Sequence, residues 1–102
     1  RGRFSGTYTQ IDNLKFFKST GVLPAGVAIK AGVNAPYSTP VSTPSSVATA
    51  DVPTSLGTAL VLSSPGVSPA FSGYITMQLQ AQASAPSGAV PTQTFELQYD
   101  EI

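Results

Sequence analysis

The sequence predicts an all-β fold: an antiparallel two-sheet sandwich, Ig-like or jelly-roll-like, of about six or seven strands. Two nearly unbroken alternations carry the prediction. In 74–83, Ile75, Met77, Leu79, Ala81 and Ala83 fall on one parity, and Tyr74, Thr76, Gln78, Gln80 and Gln82 on the other. In 94–99, Phe95, Leu97 and Tyr99 alternate with Thr94, Glu96 and Gln98. A period of two sends one set toward a core and the other outward, as in half-buried strands. A third observation agrees. Nine Gly and nine Pro punctuate a Ser/Thr-rich chain without a long helix-forming run, so short strands joined by turns are expected. A small barrel is the alternative architecture.

The elements follow in order. Residues 4–11 (FSGTYTQI), rich in Thr and aromatics, read as a first strand. Asp12-Asn13 reads as a turn, and 14–18 (LKFFK) as a second strand. Gly21 and Pro24 make 19–25 a loop. In 27–33, Val27, Ile29, Ala31 and Val33 alternate with Ala28, Lys30 and Gly32, a strand with a small outer face. The polar tract 34–55 contains Pro36, Pro40, Pro44 and Pro53. Proline cannot donate into a ladder, so this is a long loop with at most a short edge strand at 47–50, or a flexible linker. Residues 56–62 (LGTALVL) read as an apolar strand, 63–69 as a turn, and 84–91 as a hairpin loop with Gly88 at positive φ. The 102 residues are expected to form one domain. Folded-surface scaling gives it about 5,400 Å² of exposed surface and one thin core.

Residue chemistry excludes much. The chain has no His and no Cys, so it lacks an imidazole base, a thiolate and the usual ligands of zinc, haem and iron–sulfur groups. A Ser–Lys dyad on Lys15, Lys18 or Lys30, or a carboxylate pair among Asp12, Asp51, Glu96, Asp100 and Glu101, is the most that catalysis could draw on. Asp100-Glu101 reads as a solvated terminal pair, with a Ca²⁺ ligand role as the alternative. No enzyme activity and no cofactor are expected. Zero formal charge and five cations give no field for sequence-specific nucleic-acid readout, and no apolar run approaches the length of a membrane span. Arg1 in place of Met is compatible with removal of a preceding segment.

Charge is scarce and unevenly placed. Only 10% of residues are charged, where about 25% is usual. Surfaces of this kind tend to associate, and neutral amides and hydroxyls cost less to desolvate than ions. All five cations lie in the first thirty residues, and three of five acids in the last seven. The first and last strands are therefore expected to pair and neutralise each other. The alternative is a basic patch on one copy meeting an acidic patch on the next. Phe16 and Phe17 are neighbours on one strand and cannot both face one core. One of them is expected to point into a second layer, a loop or a partner. The candidate assembly surface is thus Lys15, Phe16, Phe17, Lys18, Gln78, Gln80, Asp100 and Glu101. The remaining aromatic rings read as core, or as a sugar-stacking face.

The Gln-rich strand, the small-residue loop and the closing TFELQYDEI resemble small β-sandwich modules of phage and archaeal-virus virion proteins. LKFFKSTGVLPAGVAIKAG is similar to strand–loop–strand segments of the same modules. The resemblance implies a role in capsid decoration, tail or fibre, without ligands or catalysis. The tract at 34–55 departs from it. The expectation is a non-enzymatic structural subunit that associates with copies of itself, and with other structural proteins of the same assembly, in a virion. A secreted surface filament joined by strand complementation is the alternative, as is a carbohydrate- or cell-surface-binding module.

Overall fold

Four long or central pairings organise the chain. The computed structural model describes residues 1–62 and 66–101. Within them lie eight strands: Arg3–Phe4 (β1), Ile11–Thr20 (β2), Val27–Asn34 (β3), Ala50–Asp51 (β4), Leu60–Val61 (β5), Ala70–Phe71 (β6), Tyr74–Ala81 (β7) and Thr94–Glu101 (β8). They form two three-stranded sheets, ordered β5-β2-β8 and β4-β3-β7, and a two-stranded β1-β6 ribbon. Every pairing is antiparallel. The all-β antiparallel fold expected from the alternations is the fold observed. Among the described residues no helix is long and apolar enough to cross a membrane.

The core lies between the sheets. Leu14 and Phe16 of β2, Ala31 of β3, Val52 and Leu62 are buried together, and Phe4, Ile29, Val33, Leu60, Ile75 and Phe95 pack around them. Phe16 and Phe95 stack with ring centroids 5.6 Å apart and planes 8° apart. One side of the sandwich is closed by a single run of chain. β4 pairs with β3, and the Val52 amide then donates to the Ile29 carbonyl at 2.9 Å. One residue later the Lys18 amide of the other sheet donates to the Pro53 carbonyl at 2.8 Å. The chain then makes a 3-10 turn at Leu56–Thr58 and enters β5 beside β2, where the Leu62 amide donates to the Leu14 carbonyl at 2.8 Å.

Several local expectations are corrected. The first strand shrinks to Arg3–Phe4. Gly6 at φ 120° breaks the extension, and residues 5–10 belong to no strand. Asp12-Asn13 is not a turn between strands but a bulge inside β2. Asn13 takes φ 51°, and the register with β8 shifts between Asp12 and Lys15. Asparagine tolerates that left-handed conformation better than most residues. LGTALVL is a 3-10 turn followed by two strand residues, because Gly57 and Thr58 complete the turn before any ladder begins. The segment 84–91 is not a hairpin, since β7 and β8 belong to different sheets and the loop crosses between them; Gly88 does hold positive φ, at 128°. Of the expected turn at 63–69, residues 63–65 lie outside the described residues.

The polar tract is a strap laid on β3 and β7, not a free linker. Gln78 holds it: its Nε2 donates to the Val41 and Thr43 carbonyls at 3.1 and 2.7 Å, and its Oε1 accepts the Ser45 amide at 3.0 Å. Gln80 Nε2 donates to the same Oε1 at 2.9 Å and orients it. The strap then crosses β3 at Gly32, where the Val47 carbonyl oxygen occupies the space of a β-carbon, and Ala48 is fully buried. It ends in the edge strand β4, three residues later than the sequence suggests. Replacing Gly32 by Val drives a side chain into backbone that cannot yield. Overpacking of this kind costs about 1–3 kcal/mol. The expected outcome is a chain that keeps its β signature in circular dichroism, loses that stability in urea, and is cut faster by protease within 37–48.

Candidate assembly surface

The side of the sandwich opposite the 50–62 crossing is open. β7 is the outer strand of one sheet and β8 of the other. On β7 the inward parity is Ile75, Met77, Leu79 and Ala81, directly opposite Val33, Ala31, Ile29 and Val27 of β3. On β8 it is Phe95, Leu97 and Tyr99, with Leu97 opposite Phe16. Ile75 and Phe95 reach the core. Beyond them Met77 is 48% exposed, Leu79 57%, Leu97 40% and Tyr99 48%. These four side chains sit on core-facing parities yet remain partly wet, Tyr99 with only Phe4 of β1 edge-on to it, because among the described residues neither sheet has a further strand beyond β7 or β8.

The size of the molecule agrees. Its accessible surface is 6323 Å², against about 5,400 Å² for a compact chain of this mass. Its radius of gyration is 15.3 Å, against about 13 Å.

The residues singled out from sequence are placed differently. Phe16 and Phe17 are both buried within the chain, so neither is the exposed ring that was expected. Phe16 lies in the core. Phe17, on the opposite face and beside Glu96, is buried outside that cluster, on the strand against which the Leu56–Thr58 turn packs. Lys18 is buried too. Its Nζ donates to the Gly21 carbonyl at 2.9 Å and to Gln93 Oε1 at 3.0 Å, which ties the loop after β2 to the entry of β8. Gln78 is occupied by the strap, and Gln80 donates to Gln78. Lys15 is half-buried beside Gln98.

Asp100 and Glu101 are exposed at the far end of β8. Asp100 faces Asp12 across the ladder. Two like charges opposite one another are unfavourable, and amides offset this: Asn13 Nδ2 donates to Asp100 at 2.6 Å, and Gln10 Nε2 to both Asp12 oxygens at 2.7 and 2.8 Å. Contrary to expectation, the first strand does not pair with the last: β1 pairs with β6, and it is β2 that pairs with β8, with no ion pair joining them among the described residues. The ion pair present there is Lys30–Asp51, 2.7 Å, between β3 and β4. Among the described residues no group of three or more acids is placed to hold a metal ion.

Sequence reasoning missed Met77, Leu79, Leu97 and Tyr99 as surface, and missed Gln93 as the partner of Lys18. The alternation names the inward parity; it does not say which strands lie at an edge. No protein-family model matches the chain, and no curated protein and no solved structure matches it significantly.

Lys18 separates structural from surface roles. Lys18→Met removes the amine and leaves the Gly21 carbonyl and Gln93 Oε1 without their donor, a loss of about 1–3 kcal/mol. Urea unfolding is expected to show that loss, while the particle size of the folded protein stays the same.

Proposed function

We propose that this protein is a non-enzymatic structural subunit of a repeating assembly, and that copies meet on the open β7–β8 side. The observation that carries the reading is the exposure of Met77, Leu79, Leu97 and Tyr99 on faces whose parity is otherwise core. Burying apolar surface is worth about 25 cal/mol per Å² before the costs of association, and these four side chains offer such surface on the inward parities of β7 and β8. The chemistry of the chain supports the same reading, since a chain without His or Cys has few groups for turning substrates over. The resemblance to virion modules supports a virus particle as the setting, with other structural proteins of that particle as further partners; a surface filament is the other setting.

A second reading rests on a neighbouring place that shares Met77. Tyr37, 5.6 Å from Tyr74 at 68°, walls an open cleft of about 320 Å³ with Ser38, Pro40, Thr76 and Met77. Arg1 lies over the neighbouring Phe71 and Tyr74 rings. Aromatic walls with hydroxyls suit a neutral sugar ring, and loss of glycan binding in Tyr37→Ala would favour a binding module.

The assembly reading is tested by Met77→Lys with Leu79→Lys. Both positions are about half exposed, so the stability of the single chain is expected to change by no more than about 1 kcal/mol for the two together. Light scattering and negative-stain imaging are expected to show the native chain as large regular particles and the double variant as monomers. A native chain that stays monomeric at high concentration contradicts the reading.

A further inference from the structure

The open side has one fitting occupant within this chain, and the geometry points to residues 1–10 of a second copy, laid as an added strand along the free edge of β8. This rests on the assembly reading above and names the segment that performs it.

β8 is exposed at every residue but Phe95. Its outward parity carries Glu96, Gln98 and Asp100, with Glu101 next in the chain. Two copies pairing β8 to β8 in antiparallel fashion would set carboxylates against carboxylates, which is destabilising. β7 is likewise unpaired on its outer edge among the described residues, but the strap lies close to it, with clefts lined jointly by 37–40 and 74–77 and by 42–44 and 78–82, and Pro40 and Pro44 have no amide to give a ladder. The strand that completes β8 must therefore be a different segment, cationic and free of acids.

The chain holds five cations. Lys15 and Lys18 are on β2 and Lys30 on β3, the central strands of the two sheets. Donating either would dismantle a sheet. Arg1 and Arg3 remain. Their segment forms ladder pairs with the rest of the chain at two residues, Arg3 with Phe71 and Phe4 with Ala70, and is held besides by the Gly2–Ser72 hydrogen bonds at 2.8 and 3.0 Å, by Arg1 over the Phe71 and Tyr74 rings and by Phe4 against the core. Residues 5–10 belong to no strand, and six residues reach about 20 Å.

Parity completes the match. Gly2, Phe4, Gly6 and Tyr8 share one face of an extended segment, and Arg1, Arg3, Ser5, Thr7 and Thr9 the other. Rings turned toward Leu97 and Tyr99 put both guanidinium groups on the side of Glu96 and Asp100. Within a single chain Phe4 already lies edge-on to Tyr99, centroids 5.6 Å apart at 77°, so the ring fits this surface. A neighbour's Phe4 would take the same seat when β1 leaves β6. Donor and acceptor are different surfaces, so the contact is head-to-tail and propagates into a ring or a filament.

Charge reversal in the full chain tests this. One variant carries Arg1→Glu and Arg3→Glu; a second carries Glu96→Lys and Asp100→Lys. Alone, each meets like charge at every contact, and light scattering is expected to show assembly weakened at least tenfold at low salt. Mixed in equal amounts, the two alternate with opposite charges at every contact, and particles are expected to return. Recovery on mixing requires pairing between copies, which a loss of folding would not give. Unchanged assembly of either variant, or failure of the mixture to recover, overturns the donor assignment while native particles keep the assembly reading. Absence of particles from the native chain overturns both.

Discussion

The structure depends on one crossing of the chain. Between Ala50 and Leu62 a single segment hydrogen-bonds first to β3 and then to β2, and buries Val52 between the sheets. It fixes the two central strands relative to each other and closes that side of the sandwich. The loop from β7 to β8 also passes between the sheets but adds no strand to either, so the opposite side ends in two outer strands whose inward faces stay partly wet. The open side is thus a consequence of how the closed side is made.

Neutral polar groups do the internal work that charges do in most domains. Gln78 uses both ends of its amide to hold the strap, Gln93 joins Lys18 to the Val22 and Pro91 carbonyls, and Asn13 and Gln10 quiet the Asp12–Asp100 pair. An amide gives and accepts at once, so it can satisfy several buried or crowded backbone groups without the desolvation cost of an ion. The few charges left are concentrated on two exposed places, the start of the chain and β8. A surface of this kind can tell one end of a neighbour from the other.

Much of the architecture was legible in the sequence where a strand is long and pairs along its whole length. β3, β7 and β8 follow their alternations closely, since one parity has to face the other sheet. The two-residue strands were not legible. Their existence depends on which neighbour passes close by, and that is settled by contacts between residues far apart in the chain. FSGTYTQI has the side chains of a strand and no partner for most of it. Asp12-Asn13 has the residues of a turn and spends them on a bulge. The candidate surface was read from the polar parity of β7 and from Phe16-Phe17, on the premise that apolar parities are buried. That premise holds for Ile75 and Phe95 and fails two residues further along each strand, because β7 and β8 are the outer strands of their sheets.

Burial of the outer strands on association is the central claim, and amide hydrogen exchange measured on assembled and dissociated protein tests it most directly. Amides of β2 and β3 that pair on both sides are expected to exchange slowly in both states. Those on the free edge of β8, within 95–101, are expected to exchange quickly in the dissociated chain and to become strongly protected on assembly. Equal exchange along β8 in the two states, with protection gained elsewhere on the surface, would contradict it.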